Sequence, residues 1–322
     1  MKAVIAPLLL ALGAFSLGFG VLHAARHPGS QTLGLANDTR AESGPFPKTL
    51  TSGTRSTVLA RPPAHVASLT VTSDEILTRL VPPGRLAAVS RFASDPSIST
   101  CVDRVPEHAA RIVGLDPERI IALEPDLVFV AHYTQESALR ILDSATIPVV
   151  RFRTVHSFDD VVANVLLAAA AVGEEARGEG LVVELNDRLH RVEARVRGRP
   201  HPTVLYVSTG GYTTGTGTLV DEKIRRAGGR NAAAEAGLSG DVSVSLDLLV
   251  ALDPDVIVVP RWTADETAPV RELVETPAWR TSRAVHDGRV RALAAGVLTS
   301  ESQDAVLGVE ALALLLHPEP SS

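Results

Sequence analysis

An internal repeat constrains this chain more than any other feature. Glu118 to Val130, ERIIALEPDLVFV, lines up without a gap against Asp247 to Val259, DLLVALDPDVIVV. Each copy reads as a helix, a proline break and a strand. Ile120, Ile121 and Leu123 form the apolar side of the first helix, and Leu248, Leu249 and Leu252 repeat it in the second. Pro125 and Pro254 stop the helices, because proline lacks the amide hydrogen that a further turn needs. Leu127 to Val130 and Val256 to Val259 are continuously apolar, as strands covered on both faces by helices must be. The repeat predicts two similar α/β lobes, and 322 residues with 45% hydrophobic content suffice for two cores of ordinary domain size.

The chain between and around the copies follows the same alternation. Val66, Ala67, Leu69 and Val71 suggest a strand, Ser73 or Asp74 a helix cap, and Pro82, Pro83 and Gly84 the end of that helix; Leu86 to Val89 is the next strand. Phe158, Val161, Val162, Val165 and Leu166 recur at helical spacing until Gly173. A second helix is predicted from Glu174 to Arg197, with Leu181, Leu185, Leu189, Val192 and Val196 on one face. At ~1.5 Å per residue it spans roughly 36 Å, enough to connect two lobes rigidly. Val204 to Val207 opens the second lobe, and Asp304 to Leu316 is its closing helix.

The N-terminus bears on the compartment. Lys2 precedes an apolar run from Ala3 to Leu22, and small residues follow at Ala24 and Ala25, the order of an export signal. The run is also long enough to span a bilayer uncleaved, although cleavage is the expected outcome. No cysteine stands near its end, which closes the lipoprotein route. From Arg26 to about Arg61 the chain is rich in Gly, Ser, Thr and Pro without a hydrophobic period, and is expected to be a disordered spacer. The expected organisation is a signal peptide or N-terminal anchor (1–25), a spacer (26–60), an N-terminal α/β lobe (61–155), connecting helices including the backbone helix (156–198) and a C-terminal α/β lobe (199–322). The destination is periplasmic or extracytoplasmic.

Charge and cysteine content exclude several classes. A net charge of -6 argues against a nucleic-acid partner, which selects a basic face. Cys101 is the single cysteine, so no intramolecular disulfide and no Cys-rich metal centre can form. It sits in a Ser/Thr/Asp-rich loop and is expected to be an incidental thiol.

Val66-Ala-Ser-Leu69, Glu75-Ile-Leu77, Leu86-Ala-Ala-Val-Ser90, the LEPDLV block, Ile147-Pro-Val-Val150, the long helix, Leu219-Val-Asp-Glu222 with Ala227-Gly-Gly-Arg-Asn231, and LDPDVI occur in that order. This ordered set resembles the helical-backbone substrate-binding proteins of ABC importers, which include the cobalamin, haem and ferric-siderophore binding proteins. The resemblance covers about Val66 to Leu316, and it is the order that is specific. It implies two doubly wound α/β lobes joined by a long backbone helix, a ligand cleft between the lobes and modest closure on binding. Two departures stand out. The Gly-containing insertion before the first acidic helix is shortened to Ile112-Val-Gly-Leu-Asp-Pro117, and Ala236-Gly-Leu-Ser-Gly-Asp241 replaces an aromatic-rich stretch.

In open α/β sheets a ligand sits beyond the carboxyl ends of the strands. There the sequence places Arg91 and Phe92, His132 and Tyr133, Tyr212, and Arg261 and Trp262. Aromatic faces hold flat ligands and arginines hold anionic groups, so these seven are the candidate ligand-binding residues. Each also has an ordinary reading as a lid packed over its sheet. Direct metal ligation by His132 or Tyr133 is less favoured, since His65, His108, His156, His190 and His201 show no ligand spacing. The expected ligand is a metal chelate or similar cofactor, with no covalently bound group; cobalamin, haem and ferric siderophores all stay open.

The resemblance also implies permease-docking acids, one per lobe, at Glu118 and Asp247, which would meet arginines on the two membrane subunits. An acid in a first helical turn has a structural explanation of its own in the helix dipole. No Gly-x-Ser-x-Gly elbow occurs, and Thr214-Gly-Thr-Gly-Thr218 lacks the lysine of a phosphate loop, so no enzyme is expected. The competing reading is a membrane-anchored sensor or scaffold of the same fold.

Overall fold

The computed structural model describes residues 39–52, 55–265 and 267–318, all within one compact unit. The expected signal segment and the first part of the expected spacer lie outside these residues. The later part does not match the expectation. Thr39–Ala41 (β1), Lys48–Ser52 (β2) and Arg55–Leu59 (β3) form an antiparallel sheet in the order β1-β2-β3. Few apolar residues are needed there, because Leu50 and Leu59 are buried and Lys48 supplies a specific anchor. The Lys48 Nζ donates to the Ala170 carbonyl at 3.0 Å and pairs with the Glu175 carboxylate.

The N-terminal lobe comprises β4 (Val66–Ser68), α1 (Val71–Leu80), β5 (Leu86–Ser90), β6 (Ala110–Ile112), α2 (Pro117–Ile121), β7 (Leu127–Val130), α3 (Glu136–Ser144) and β8 (Val149–Arg151). Its sheet has the order β6-β5-β4-β7-β8, and every pair is parallel. Thr70 caps α1, not Ser73 or Asp74. Its hydroxyl accepts the Ser73 amide at 3.1 Å, and the Ser73 side chain returns to the Thr70 amide.

Two helices follow, α4 (Phe158–Val172) and α5 (Glu175–Val196). Gly173 ends α4 at a φ of 74°, a left-handed conformation that glycine adopts without strain. The buried face of α5 is the expected one: Leu181, Leu185, Leu189, Val192 and Val196. Gly178 allows α5 to approach α4, since a Cβ at this position would stand 2.4 Å from that of Ala169.

The C-terminal lobe comprises β9 (Thr203–Tyr206), β10 (Tyr212–Thr214), α6 (Leu219–Arg226), β11 (Arg230–Asn231), α7 (Ala232–Glu235), β12 (Asp241–Ser243), α8 (Leu246–Ala251), β13 (Val256–Arg261), α9 (Ala268–Glu275), α10 (Arg283–His286), β14 (Val290–Ala294), α11 (Ala295–Thr299) and α12 (Val306–Leu316). The parallel sheet runs β11-β9-β13-β14, and β10 pairs with β12 as a separate antiparallel ribbon. Val66, Leu127 and Phe129 of the first sheet share one core with Val204, Val256 and Val258 of the second, joined through Leu185, Leu189, Val309 and Leu312.

The repeat holds at the level of the backbone. Asp116 and Ser245 cap α2 and α8, accepting the amides of Arg119 and Leu248. Both helices stop earlier than the prolines require, at Ile121 and Ala251. The residues before the prolines, Glu124 and Asp253, have φ of 48° and 36°, so the same tight turn joins helix to strand in both lobes.

Candidate ligand cleft between the lobes

The parallel sheets deliver six of the seven candidates to the carboxyl ends of strands, and Tyr212 opens the antiparallel β10–β12 ribbon. After β5, Arg91 and Phe92 begin a short 3-10 turn, and the exposed guanidinium of Arg91 lies 4.4 Å from the Phe92 ring centroid. After β7, the rings of His132 and Tyr133 meet edge to face at 5.0 Å. Tyr133 is 52% exposed. The backbone carrying this pair is held from β8, where the Arg151 Nε donates to the His132 carbonyl at 2.8 Å and Nη2 to the Thr134 carbonyl at 3.1 Å. Burial, then Arg151 and His156, push the His132 imidazole below its ordinary value, which favours the neutral form.

In the C-terminal lobe, Tyr212 starts β10 and is 37% exposed. Side chains alternate along the ribbon. Thr213 turns inward and donates to the Tyr206 carbonyl at 2.7 Å, whereas Thr214 shares the face of Tyr212 and stands opposite Asp241. Arg261 ends β13 and donates to the Thr263 carbonyl at 3.0 Å, with Trp262 partly buried beside it. Contacts thus join Arg91 to Phe92 and His132 to Tyr133, while Tyr212, Arg261 and Trp262 occupy strand ends of the other lobe.

Between the lobes lies a polar network whose residues the sequence did not single out as a site. The segment after α11 links the lobes. Ser300 and Ser302 donate their hydroxyls to the buried carboxylate of Glu75 on α1, at 2.7 and 2.6 Å. Lys223 on α6, fully buried, donates to the carbonyls of Leu298 and Ser300 at 2.9 and 2.8 Å. Between the two serines, Glu301 receives the Thr72 hydroxyl at 3.5 Å. Its carboxylate, together with desolvation as the larger cause, raises the Tyr133 phenol. One sequence signal could have found Lys223: it falls four residues after Leu219 and four before Ala227, on the apolar side of α6. Glu301 lies in a turn without periodicity and has no such signal.

Among the described residues no group of three or more His, Cys, Asp or Glu side chains is arranged to hold a metal ion. Cys101 is buried, and burial pushes its thiol up to about 12, so it stays protonated and unreactive. A groove of about 730 Å³ lined by Thr78, Arg79, Pro82, Arg177, Leu181 and Glu184 lies at the carboxyl end of α1 against α5, away from the strand ends.

The sequence profile of the family described as periplasmic binding protein matches residues 66–295, which takes in both sheets and the helices between them. The chain belongs to the periplasmic binding protein family. Among its relatives is a cobalamin-binding protein of Halobacterium salinarum, 28% identical over 226 residues, or 69% of this chain. The match covers 60% of that relative, so the chain spans well under its full length. An uncharacterised ABC transporter substrate-binding lipoprotein of Bacillus subtilis is 24% identical over 285 residues, 85% of this chain and 87% of its own. Among solved structures, the apo periplasmic haem-binding protein of Roseiflexus superposes with a TM-score of 0.68 at 24% identity, covering 78% of this chain and 98% of that one. A protein of an ABC-type Fe3+-hydroxamate transport system from Saccharomonospora viridis gives 0.68 at 19%, covering 84% and 99%. These periplasmic binding proteins share the two-lobed fold with a helical backbone.

Proposed function

We propose that this periplasmic binding protein captures a small metal chelate or cofactor outside the cytoplasm and delivers it to an ABC importer. The observation that carries the reading is the set of aromatic and cationic side chains at the carboxyl ends of parallel strands in both lobes, Arg91, Phe92, His132 and Tyr133 in one and Arg261 and Trp262 in the other, with Tyr212 on the antiparallel ribbon of the second. Binding, not catalysis, is what such a set performs. Cobalamin is the first ligand to test, because the Halobacterium relative bears that name, followed by haem and ferric siderophores.

Delivery needs a partner of matching symmetry. Glu118 and Asp247 are both exposed, both hold the second position of their short helices, and neither makes an ion pair or side-chain hydrogen bond among the described residues. One free acid per lobe suits two cationic sockets on a permease dimer. An N-terminal export signal would place the chain on the outer side; among the described residues no helix is long and apolar enough to cross a membrane.

A thermal-shift screen of the full chain against cyanocobalamin, haemin and ferrichrome tests the ligand. A binder at 100 times its Kd adds ~2.7 kcal/mol of stability. No shift with any of the three would overturn the reading.

A further inference from the structure

Tyr133 is the most exposed of the four aromatic candidates Phe92, Tyr133, Tyr212 and Trp262, and it stands in a turn, outside helix and strand. The backbone of Tyr212 is held by its ribbon, where it stands opposite Ser243 and its carbonyl accepts the Ser208 amide at 2.8 Å. Tyr133 has no ladder around it. An unrestrained aromatic on a turn surrenders part of its binding energy to ordering when a ligand arrives.

One side chain supplies the restraint. Arg151 ends β8, the edge strand beside β7, and stands opposite Val130. Its guanidinium reaches past the end of β7. Nε donates to the His132 carbonyl at 2.8 Å, Nη2 donates to the same carbonyl and to that of Thr134 at 3.1 Å, and Nη1 pairs with Glu136 in the first turn of α3 at 2.6 Å. The Thr134 amide completes the turn by donating to the Ala131 carbonyl at 3.1 Å. The peptide groups on both sides of Tyr133 are therefore tied, the one before it through the His132 carbonyl and the one after it through the Thr134 amide. Because each peptide group is planar, fixing both fixes φ and ψ of Tyr133, and with them the direction in which its ring leaves the backbone.

The residue type matters. Three nitrogens of one planar group serve two carbonyls and a carboxylate at once, which the point charge of a lysine on its flexible stem does not reproduce. The Arg151 side chain is mostly buried, so its bonds to the two carbonyls are shielded from water, whereas Glu136 is mostly exposed and its pairing contributes little.

We propose that Arg151 is a positioning residue for ligand capture: it holds the turn after β7 so that the Tyr133 ring is set in place before the ligand arrives, and it acts through Tyr133 alone. The inference rests on the capture of a chelate with Tyr133 as an anchor, argued above.

The test is a double-mutant cycle on the full chain, with cyanocobalamin, haemin and ferrichrome each titrated into the native protein, Arg151→Met, Tyr133→Ala and the two combined. Arg151→Met is expected to weaken binding of the ligand that the native chain takes by roughly tenfold, about 1.4 kcal/mol, and by less than about twofold once Tyr133 is already Ala. Arg151→Lys keeps the charge and serves where Arg151→Met does not fold. It should show a severalfold loss that likewise vanishes in the Tyr133→Ala background. A loss that persists undiminished in that background overturns the inference, since Arg151 then acts on the ligand or the fold without Tyr133, and it leaves chelate capture intact. Native affinity in the folded Arg151 variants does the same. Absence of binding of all three compounds to the native chain removes chelate capture and this inference together.

Discussion

Glu75 of α1 accepts the Ser300 hydroxyl at 2.7 Å while Lys223 of α6 donates to the Ser300 carbonyl at 2.8 Å, so a buried ionisable side chain from each lobe holds the same residue. Glu75 also accepts the Ser302 hydroxyl and, at 2.9 Å, the Thr100 amide. Glu75→Leu takes the acceptor from three donors; the Ser300 and Ser302 hydroxyls, 3.0 Å apart, can still pair with each other, which leaves two donors unmet at about 1 to 3 kcal/mol each. The expected loss is about 2 kcal/mol or more in urea denaturation, with a smaller loss for Glu75→Gln, which keeps one acceptor oxygen. A Glu75→Leu protein as stable as the native one would show that the hub is dispensable.

The same region gives the protein a pH signature. Asp74 is buried against the Ser90 amide and hydroxyl, and burial raises it from 3.8 to about 7. Across that window the folded chain keeps a proton that the unfolded chain has released, so this stability is complete below 3.8 and lost as pH rises through 7. Glu301 behaves alike from 4.5 to about 7. Lys223 is the opposite case: burial lowers it from 10.5 to about 7, so its contribution is complete above 10.5 and lost as pH falls through 7. Asp74→Asn removes the first of these terms. Relative to the native chain the variant should therefore gain stability as pH rises from 4 to 7, by up to about 1.4 kcal/mol per pH unit. A native-minus-variant difference that is flat with pH would contradict a buried, proton-retaining Asp74.

Tyr133 and Tyr212 are exposed enough to be removed without opening a core. Replacing either by Ala should weaken chelate binding by about 1 to 3 kcal/mol while leaving the ligand-free melting temperature within a degree or two. The partly buried Trp262 should show both effects. Equal loss of stability without ligand at Tyr133 would mark that ring as packing.

Glu118→Lys combined with Asp247→Lys is expected to leave ligand affinity unchanged and to abolish stimulation of transport in vesicles carrying the cognate permease. Both side chains are exposed and make no ion pair or side-chain hydrogen bond among the described residues, so folding should survive. Normal transport by the folded double variant would leave both acids as helix-end charges.

The architecture was legible because its signals are periodic. The aligned segments ending at Val130 and Val259 gave both helix-turn-strand units, and the apolar face of α5 was read residue for residue. Two things escaped. The β1–β3 sheet carries few apolar residues, and its order comes from Lys48 reaching Glu175 and Ala170 more than a hundred positions away. The polar network between the lobes escaped for the same reason: Thr72 and Glu301 come from distant segments, and neither follows a local pattern. Strand-end residues such as Tyr133 could be named because position beyond a strand is a local property.

The helix α5 packs one continuous row of aliphatic side chains, from Leu181 to Val196, into the core that serves both sheets. A beam fixed along its length resists the wide swing that a pair of flexible strands would permit. In the proposed carrier role, its outline would change little between empty and loaded forms, and a transporter would have to tell them apart by what fills the gap between the lobes and by the texture of its rim. For such a carrier, cargo identity is itself the message.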